Sequence, residues 1–317
     1  MPHPNLTRKD FLKSAALAAL AATLPKVSPA MAAAIGVTEI APGIFVHKGQ
    51  YAHSNAENVG DIANATIIAG ADALAVIDTG GSARIGSGLL EAARAISSKP
   101  IRYVINTHMH PDHVFGNAAF SKEGAEIVAH HKMARGLSAR AQNYLRANAE
   151  ALGAEGFAGT EIVMPTKPVQ ETGTLDLGGR VLELKARPTA HTDNDLTVLD
   201  QATGTLVLGD LLFAERIPTI DGSLTGWLKL IETMKGESAQ RAVPGHGPVS
   251  LPWPGALDPM QHYLSTLADD VRALIKAGKT IEDATKSAGQ SEKDKWALFS
   301  EDHVRNATAA FAELEWE

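Results

Sequence analysis

Seven consecutive residues, Thr107-His108-Met109-His110-Pro111-Asp112-His113, concentrate the chemistry of metal binding: three imidazoles and one carboxylate fall within six positions. They follow the apolar run 101–105, which reads as a strand. Side chains two apart on an extended segment point to the same face, so His108 and His110 can converge on one cation. Pro111 biases the residue before it away from helix, giving a strand-then-loop reading in which Asp112 and His113 bend toward a second cation. The chain has no cysteine, which excludes disulfides, thiolate ligands and a cysteine nucleophile. Any metal must be held by nitrogen and oxygen.

Three further positions have the same character. His191 lies in Thr189-Ala190-His191-Thr192-Asp193, Asp210 ends Leu208-Gly209-Asp210, and His246 sits in Pro244-Gly245-His246-Gly247. Each falls where a strand gives way to a loop. The succession T-H-x-H-x-D-H, isolated histidine, G-D and P-G-H-G resembles the metal signature of the metallo-β-lactamase superfamily. That resemblance implies that His108, His110 and His191 hold one metal, that Asp112, His113 and His246 hold a second, and that Asp210 bridges them. It also implies a support role for Asp78, in Val76-Ile77-Asp78-Thr79-Gly80-Gly81, which is therefore left out of the ligand set.

The chemistry of such a set is consistent with the resemblance. Two divalent cations about 3.5 to 4 Å apart activate a shared water at neutral pH, polarise a carbonyl or phosphoryl oxygen and stabilise a leaving group. A bridging carboxylate offsets repulsion between the cations, and the imidazole-rich remainder suits zinc. The expectation is a hydrolase with two Zn²⁺, in which a metal-bound hydroxide attacks an ester, thioester, lactone or amide carbonyl and Asp112 orients it or takes its proton. Iron is the alternative metal, because the ligand set also resembles that of mononuclear iron persulfide dioxygenases. A β-lactamase is disfavoured by an aspartate at 210, and a metal carrier without turnover ranks third.

Further runs, 59–64, 188–193, 209–213 and 221–227, resemble an exported subgroup, the quinoprotein relay system zinc metallohydrolases. This implies a small-molecule substrate and a functional link to a periplasmic quinoprotein or sulfur-oxidation system. The first residues agree: Arg8, Lys9 and Lys13 precede the apolar stretch 15–24, and Ala30-Met31-Ala32 has the form of a signal-peptidase site. Residues 1–32 are read as an export signal, for the Sec or the twin-arginine route, delivering the protein to the periplasm. The stretch is too short to span a bilayer, so no stable membrane insertion is expected after processing. Cleavage removes four basic residues and one acid from a chain of net charge −7, leaving −10. Nucleic acid is then an unsuitable partner.

The elements that must position these residues alternate as in an α/β domain. Strands are expected at 43–47, 65–68, 73–77, 101–105, 126–128, 181–184, 196–199 and 206–208, with hairpin turns at 70–72 and 201–204. Ser82 and Ser223 are expected N-caps. From 253 to 317 the pattern is helical: Met260, Tyr263, Leu264, Leu267, Val271 and Leu274 form a stripe ended by Gly278, and Thr280 to Asp283 has capping-box form. Asp302 and His303 are expected to be solvated at the start of the last helix, and His130 and His131 to begin another. The family resemblance implies a four-layer αβ/βα sandwich over 33–252 with a C-terminal helical extension. His53, Asn55 and Glu57 occupy a segment that often overhangs the metals in that family. Lys132, Arg135, Arg187 and Arg216 are basic side chains able to take a substrate carboxylate or sulfonate, though solvation is the ordinary state of a lone cation.

Overall fold

The structure is a computed structural model that describes residues 35–317. The expected export signal lies outside the described residues. Strands β1 (Thr38–Ala41), β2 (Ile44–His47), β3 (Ala65–Ala69) and β4 (Leu74–Ile77) form an antiparallel meander. Helix α1 (Ala83–Ile96) crosses to β5 (Ile101–Ile105), and α2 (Pro111–Val114) and α3 (Asn117–Ser121) lead to β6 (Glu126–His130). The long helix α4 (Met133–Phe157) precedes β7 (Lys167–Val169), completing a seven-stranded sheet in sequence order that is parallel from β4 to β7.

The second sheet contains β8 (Thr172–Asp176), β9 (Val181–Ala186), β10 (Leu196–Asp200), β11 (Thr205–Phe213), β12 (Arg241–His246) and β13 (Leu251–Pro252), with α5 (Leu224–Lys235) between β11 and β12. Its order is β13-β12-β11-β10-β9-β8, antiparallel apart from the β11–β12 pair. Helices α6 (Asp258–Lys276), α7 (Ile281–Ser287) and α8 (Phe299–Leu314) end the chain.

Strand β4 shows how the layers form. Ala75 and Ile77 point into the core between the sheets with Ile105, Leu184 and Val198, while Leu74 and Val76 point outward onto Leu89 and Ala93 of α1. Alternate side chains thus bury both faces. The outer face of the second sheet, through Leu206, Leu208 and Ala242, packs on Trp227 and Ile231 of α5 and on Tyr263, Leu264 and Leu267 of α6. The result is the expected αβ/βα sandwich, whose C-terminal helices share the buried cluster of the second sheet.

The anticipated caps are present: the Ser82 hydroxyl accepts from Ile85 N, the Ser223 hydroxyl accepts from Gly226 N, and Thr280 and Asp283 form a reciprocal box. Two expectations are corrected. His130 ends β6, with the helix starting only at Met133, and the chain after Pro111 is a single helical turn rather than open loop. Pro111 occupies the first position of that turn, where its missing N–H costs nothing and its fixed φ suits the helix, while His110 before it stays extended.

Candidate metal centre

The chemistry-bearing residues gather at the carboxyl ends of parallel strands, the usual site-bearing edge of an open α/β sheet. The His108–His113 segment leaves β5, Asp78 follows β4, and His246 ends β12. His191 comes from the β9–β10 connection, and Asp210 lies within β11, where pairing with β12 slips between Val207 and Phe213. Two glycines permit the approach. A Cβ on Gly245 would collide with Asp210 Oδ1, and one on Gly209, at φ 53°, would collide with the side chain of Thr107.

The convergence forms two groups, His108, His110, His191 and Asp210 on one side and Asp112, His113 and His246 on the other. Asp210 faces both. Its Oδ2 lies 3.4 Å from His191 Nε2 and 3.7 Å from His108 Nε2, while Oδ1 lies 3.2 Å from His113 Nε2 and 3.4 Å from His246 Nε2. Asp112 Oδ2 is 3.4 Å from His246 Nε2 and 3.7 Å from His113 Nε2. Tetrahedral ligands about 2.1 Å from an ion stand roughly 3.4 Å apart, which is this spacing. His108 Nε2, His113 Nε2 and Asp210 Oδ1 are buried without a hydrogen-bond partner. Polar atoms orphaned together need a ligand, and their nitrogen and oxygen chemistry fits divalent metal ions.

The far nitrogen of each imidazole is held. His113 Nδ1 is 2.8 Å from Asp78 Oδ2, His110 Nε2 is 2.8 Å from Asp221 Oδ2, and His191 Nδ1 is 2.7 Å from the Thr219 carbonyl. His246 Nδ1 is 2.7 Å from the Ile62 carbonyl, and His108 Nδ1 is 3.1 Å from Thr107 Oγ1. Such partners fix ring orientation and tautomer and strengthen the ligand. Asp78 also accepts from Thr107 N at 2.8 Å and Thr107 Oγ1 at 2.7 Å, and its φ of 60° turns the chain beneath the site. Both its oxygens therefore serve the metal loop, consistent with its omission from the ligands.

The protein's own charges are strongly coupled here. Burial opposes charge on His113, but Asp210, Asp78 and Asp112 outweigh it and raise its pKa well above the ordinary value. Burial, with His113 adding to it, pushes His108 well down, and burial lowers His191 to about 3. Burial would raise the Asp210 carboxyl, but His246, His113 and His108 hold it well below the usual range.

Several contributors were not singled out by the sequence. Asn64 donates to the carbonyls of Pro244 at 2.9 Å and Gly247 at 3.3 Å and so clamps the His246 loop. Asp221 is gripped by Arg140 of α4 and stands 3.6 Å from Arg305 of α8. Asn64 and Asp221 lie in the resemblance runs 59–64 and 221–227, which supplied a signal without a role. Arg140 and Arg305 had none.

A cleft of 660 Å³ opens over the centre, lined by Asp112, Asp210 and His246 together with His53, Arg140, Arg216, Asp302 and Arg305. His53 reaches it and lies 3.5 Å from Asp302, whereas Asn55 instead accepts the backbone N–H groups of Glu57 and Asn58 in a turn, and Glu57 is exposed. Asp302 therefore faces the site. His303 is buried, stacked on Phe299 at 4.1 Å and bonded to Tyr263 and to the Ala288 carbonyl, contrary to its expected solvation. Of the four lone basic candidates, Lys132 and Arg135 are exposed and Arg187 pairs with Glu237 at 2.6 and 2.8 Å. Arg216 alone of these is buried in the cleft wall.

Residues 58–246 match the sequence model of the metallo-beta-lactamase superfamily. A linear primary-alkylsulfatase of Pseudomonas sp. (strain ATCC 19151) is 42% identical over 52 residues, covering 16% of this chain and 10% of that protein. Among solved structures, a metallo-beta-lactamase from Pontibacter korlensis superposes with TM-score 0.55 at 21% identity, over 73% of this chain and 95% of its own. The stereoselective inverting sec-alkylsulfatase from Pseudomonas sp. superposes with TM-score 0.67 at 16% identity, over 88% of this chain and 50% of its own. This chain thus spans about half of that sulfatase and a tenth of the curated relative.

Proposed function

Since the chain belongs to the metallo-beta-lactamase superfamily and is a metal-dependent hydrolase, we propose that it is an exported, periplasmic enzyme with a binuclear zinc centre that cleaves an ester, thioester, lactone or amide. One observation carries the two-metal reading: the two oxygens of Asp210 address two separate histidine sets. Two ions would engage both groups, whereas a single ion held by His108, His110, His191 and Asp210 would leave Asp112, His113 and His246 without a metal.

When bound, the two ions supply an activated water and charge stabilisation for the developing oxyanion. His108, His110 and His191 would hold the first, Asp112, His113 and His246 the second, and Asp210 would span both. Asp112 is the ligand candidate with the most open carboxylate, at 16% side-chain exposure on the cleft floor, and it is placed to accept a proton from attacking water. Phe213 and Trp227 pack behind His191 and keep bulk water from that side.

The relatives bring forward a second substrate class, sulfate esters. The sec-alkylsulfatase superposes on 88% of this chain, against 73% for the lactamase, so the likeness extends beyond the part shared with the lactamase. The runs 59–64 and 221–227 support membership of the quinoprotein relay subgroup, and with it a link to periplasmic quinoprotein or sulfur-oxidation chemistry. Elemental analysis, a panel of carboxylic, thio- and sulfate esters, and N-terminal sequencing of the native protein test these points together. Two zincs, ester turnover and a chain starting near Ala33 are expected; one iron, oxygen uptake or an intact Met1 end would refute the corresponding part.

A further inference from the structure

Arg216 is 6% exposed, lines the cleft beside the metal centre, and pairs with no carboxylate among the described residues. Its Nε is buried without a partner. Its Nη1 lies 2.8 Å from His246 Nδ1, but that nitrogen is also 2.7 Å from the Ile62 carbonyl. If His246 Nε2 is bare to bind metal, the imidazole proton must sit on Nδ1 and go to Ile62. A guanidinium can only donate, so Arg216 then gains no hydrogen bond from His246. The cleft wall therefore holds a buried cation with unmet donors, an arrangement that is costly unless an anion completes it.

The same cleft carries further charge, negative from Asp302, which stands 3.5 Å from His53, and positive from Arg140 and Arg305. Arg140 and Arg305 share one carboxylate, Asp221, which also accepts from His110. Arg305 belongs to α8, beyond residues 58–246 that match the family. We infer that this cleft recognises an anionic substrate, an ester carrying a sulfate or carboxylate group, with Arg216 as the anion seat and Arg305 as a supporting charge at the mouth. The inference rests on the hydrolase reading of the same cleft and narrows its substrate class. A guanidinium offers pairs of parallel N–H groups to two oxygens, the geometry in which it binds an oxyanion best.

Calorimetric titration tests this without turnover. Hexanesulfonate and hexanoate, which are not hydrolysed, and neutral hexanol are titrated into full-length protein, both zinc-loaded and EDTA-treated. Both anions should bind more tightly than hexanol, by on the order of 10-fold or more, and whichever anion binds better identifies the recognised group. Arg216→Met should weaken anion binding by on the order of 10- to 100-fold in both metal states while leaving hexanol unchanged, with Arg216→Lys intermediate. Arg305 is half-exposed, so Arg305→Met should fold normally and weaken binding by about threefold, as expected of an exposed charge. Equal affinity for anion and alcohol, or anion binding indifferent to Arg216 and Arg305, would overturn the proposal. Anion binding that depends on Arg216 in a zinc-loaded protein that turns over no ester would leave the anion seat standing and refute the hydrolase reading instead.

Discussion

The floor of the cleft and its walls are built on different principles. On the floor, each imidazole has its far nitrogen held and the groups are almost wholly buried, as with His113 on Asp78 and His191 on Thr219. The walls carry long, partly exposed side chains from distant elements: Arg140 from α4 and Arg305 from α8 meet on the single carboxylate of Asp221. A rigid floor suits chemistry that must be repeated in fixed geometry, while an underpaired wall suits recognition. The floor falls within the family match; α8 lies outside it.

Replacing floor residues should therefore cost most. Asp210→Ala should reduce turnover by more than the roughly 100-fold that marks the loss of an outer partner, and should also release metal. Near-normal kcat/KM in that variant would remove the bridging role. One step out, Asp78→Ala and Asp221→Asn should each weaken metal affinity by about 10- to 100-fold, read by competition with a chelator. If Asp221→Asn binds metal normally, then the wall and the floor are uncoupled.

Smaller effects are expected away from the cleft floor. His303→Ala removes a buried ring stacked on Phe299 and bonded to Tyr263 and the Ala288 carbonyl, and should lower stability by about 1 to 3 kcal/mol in denaturant melts. Burial lowers the His303 pKa below its ordinary 6.5, against a smaller raising effect of the Ala288 carbonyl. The unfolded chain then takes up this proton before the folded one does. The His303 contribution is complete above about pH 6.5 and declines as pH falls from there toward the lowered folded value. The stability gap between wild type and His303→Ala should narrow on acidification; a gap that widens would refute the assignment. Exposed His131→Ala should change stability by no more than about 0.5 kcal/mol.

The floor could be read from sequence because its ligands are local or carry distinctive neighbours. Four lie within six residues after an apolar strand, and Gly209 and Gly245 mark the tight approaches to Asp210 and His246. The walls could be read only in part, through His53 and Arg216. Arg140 and Asp221 are 81 positions apart; Asp221 falls in a resemblance run that gave it no role, and Arg140 has no local signature. Helix α4 was expected only by its start, and that three residues early, since of its 25 residues only Met133, Leu137, Leu152 and Gly156 are buried, too few for a clear apolar stripe. Strand β12 reads Arg-Ala-Val-Pro-Gly-His, whose proline and glycine suggest a turn, yet pairing with β11 and β13 makes it a strand. His303 was misjudged because polar residues near a helix start are commonly solvated, whereas here α8 packs that turn against α6.

The central claim is that two ions share Asp210, and metal stoichiometry tests it most directly. Elemental analysis of protein purified from its native compartment should give about two zincs per chain, and Asp210→Ala should lose at least one, as expected when a bridging carboxylate is removed. One iron per chain, retained after zinc reconstitution and unaffected by that substitution, would contradict the account.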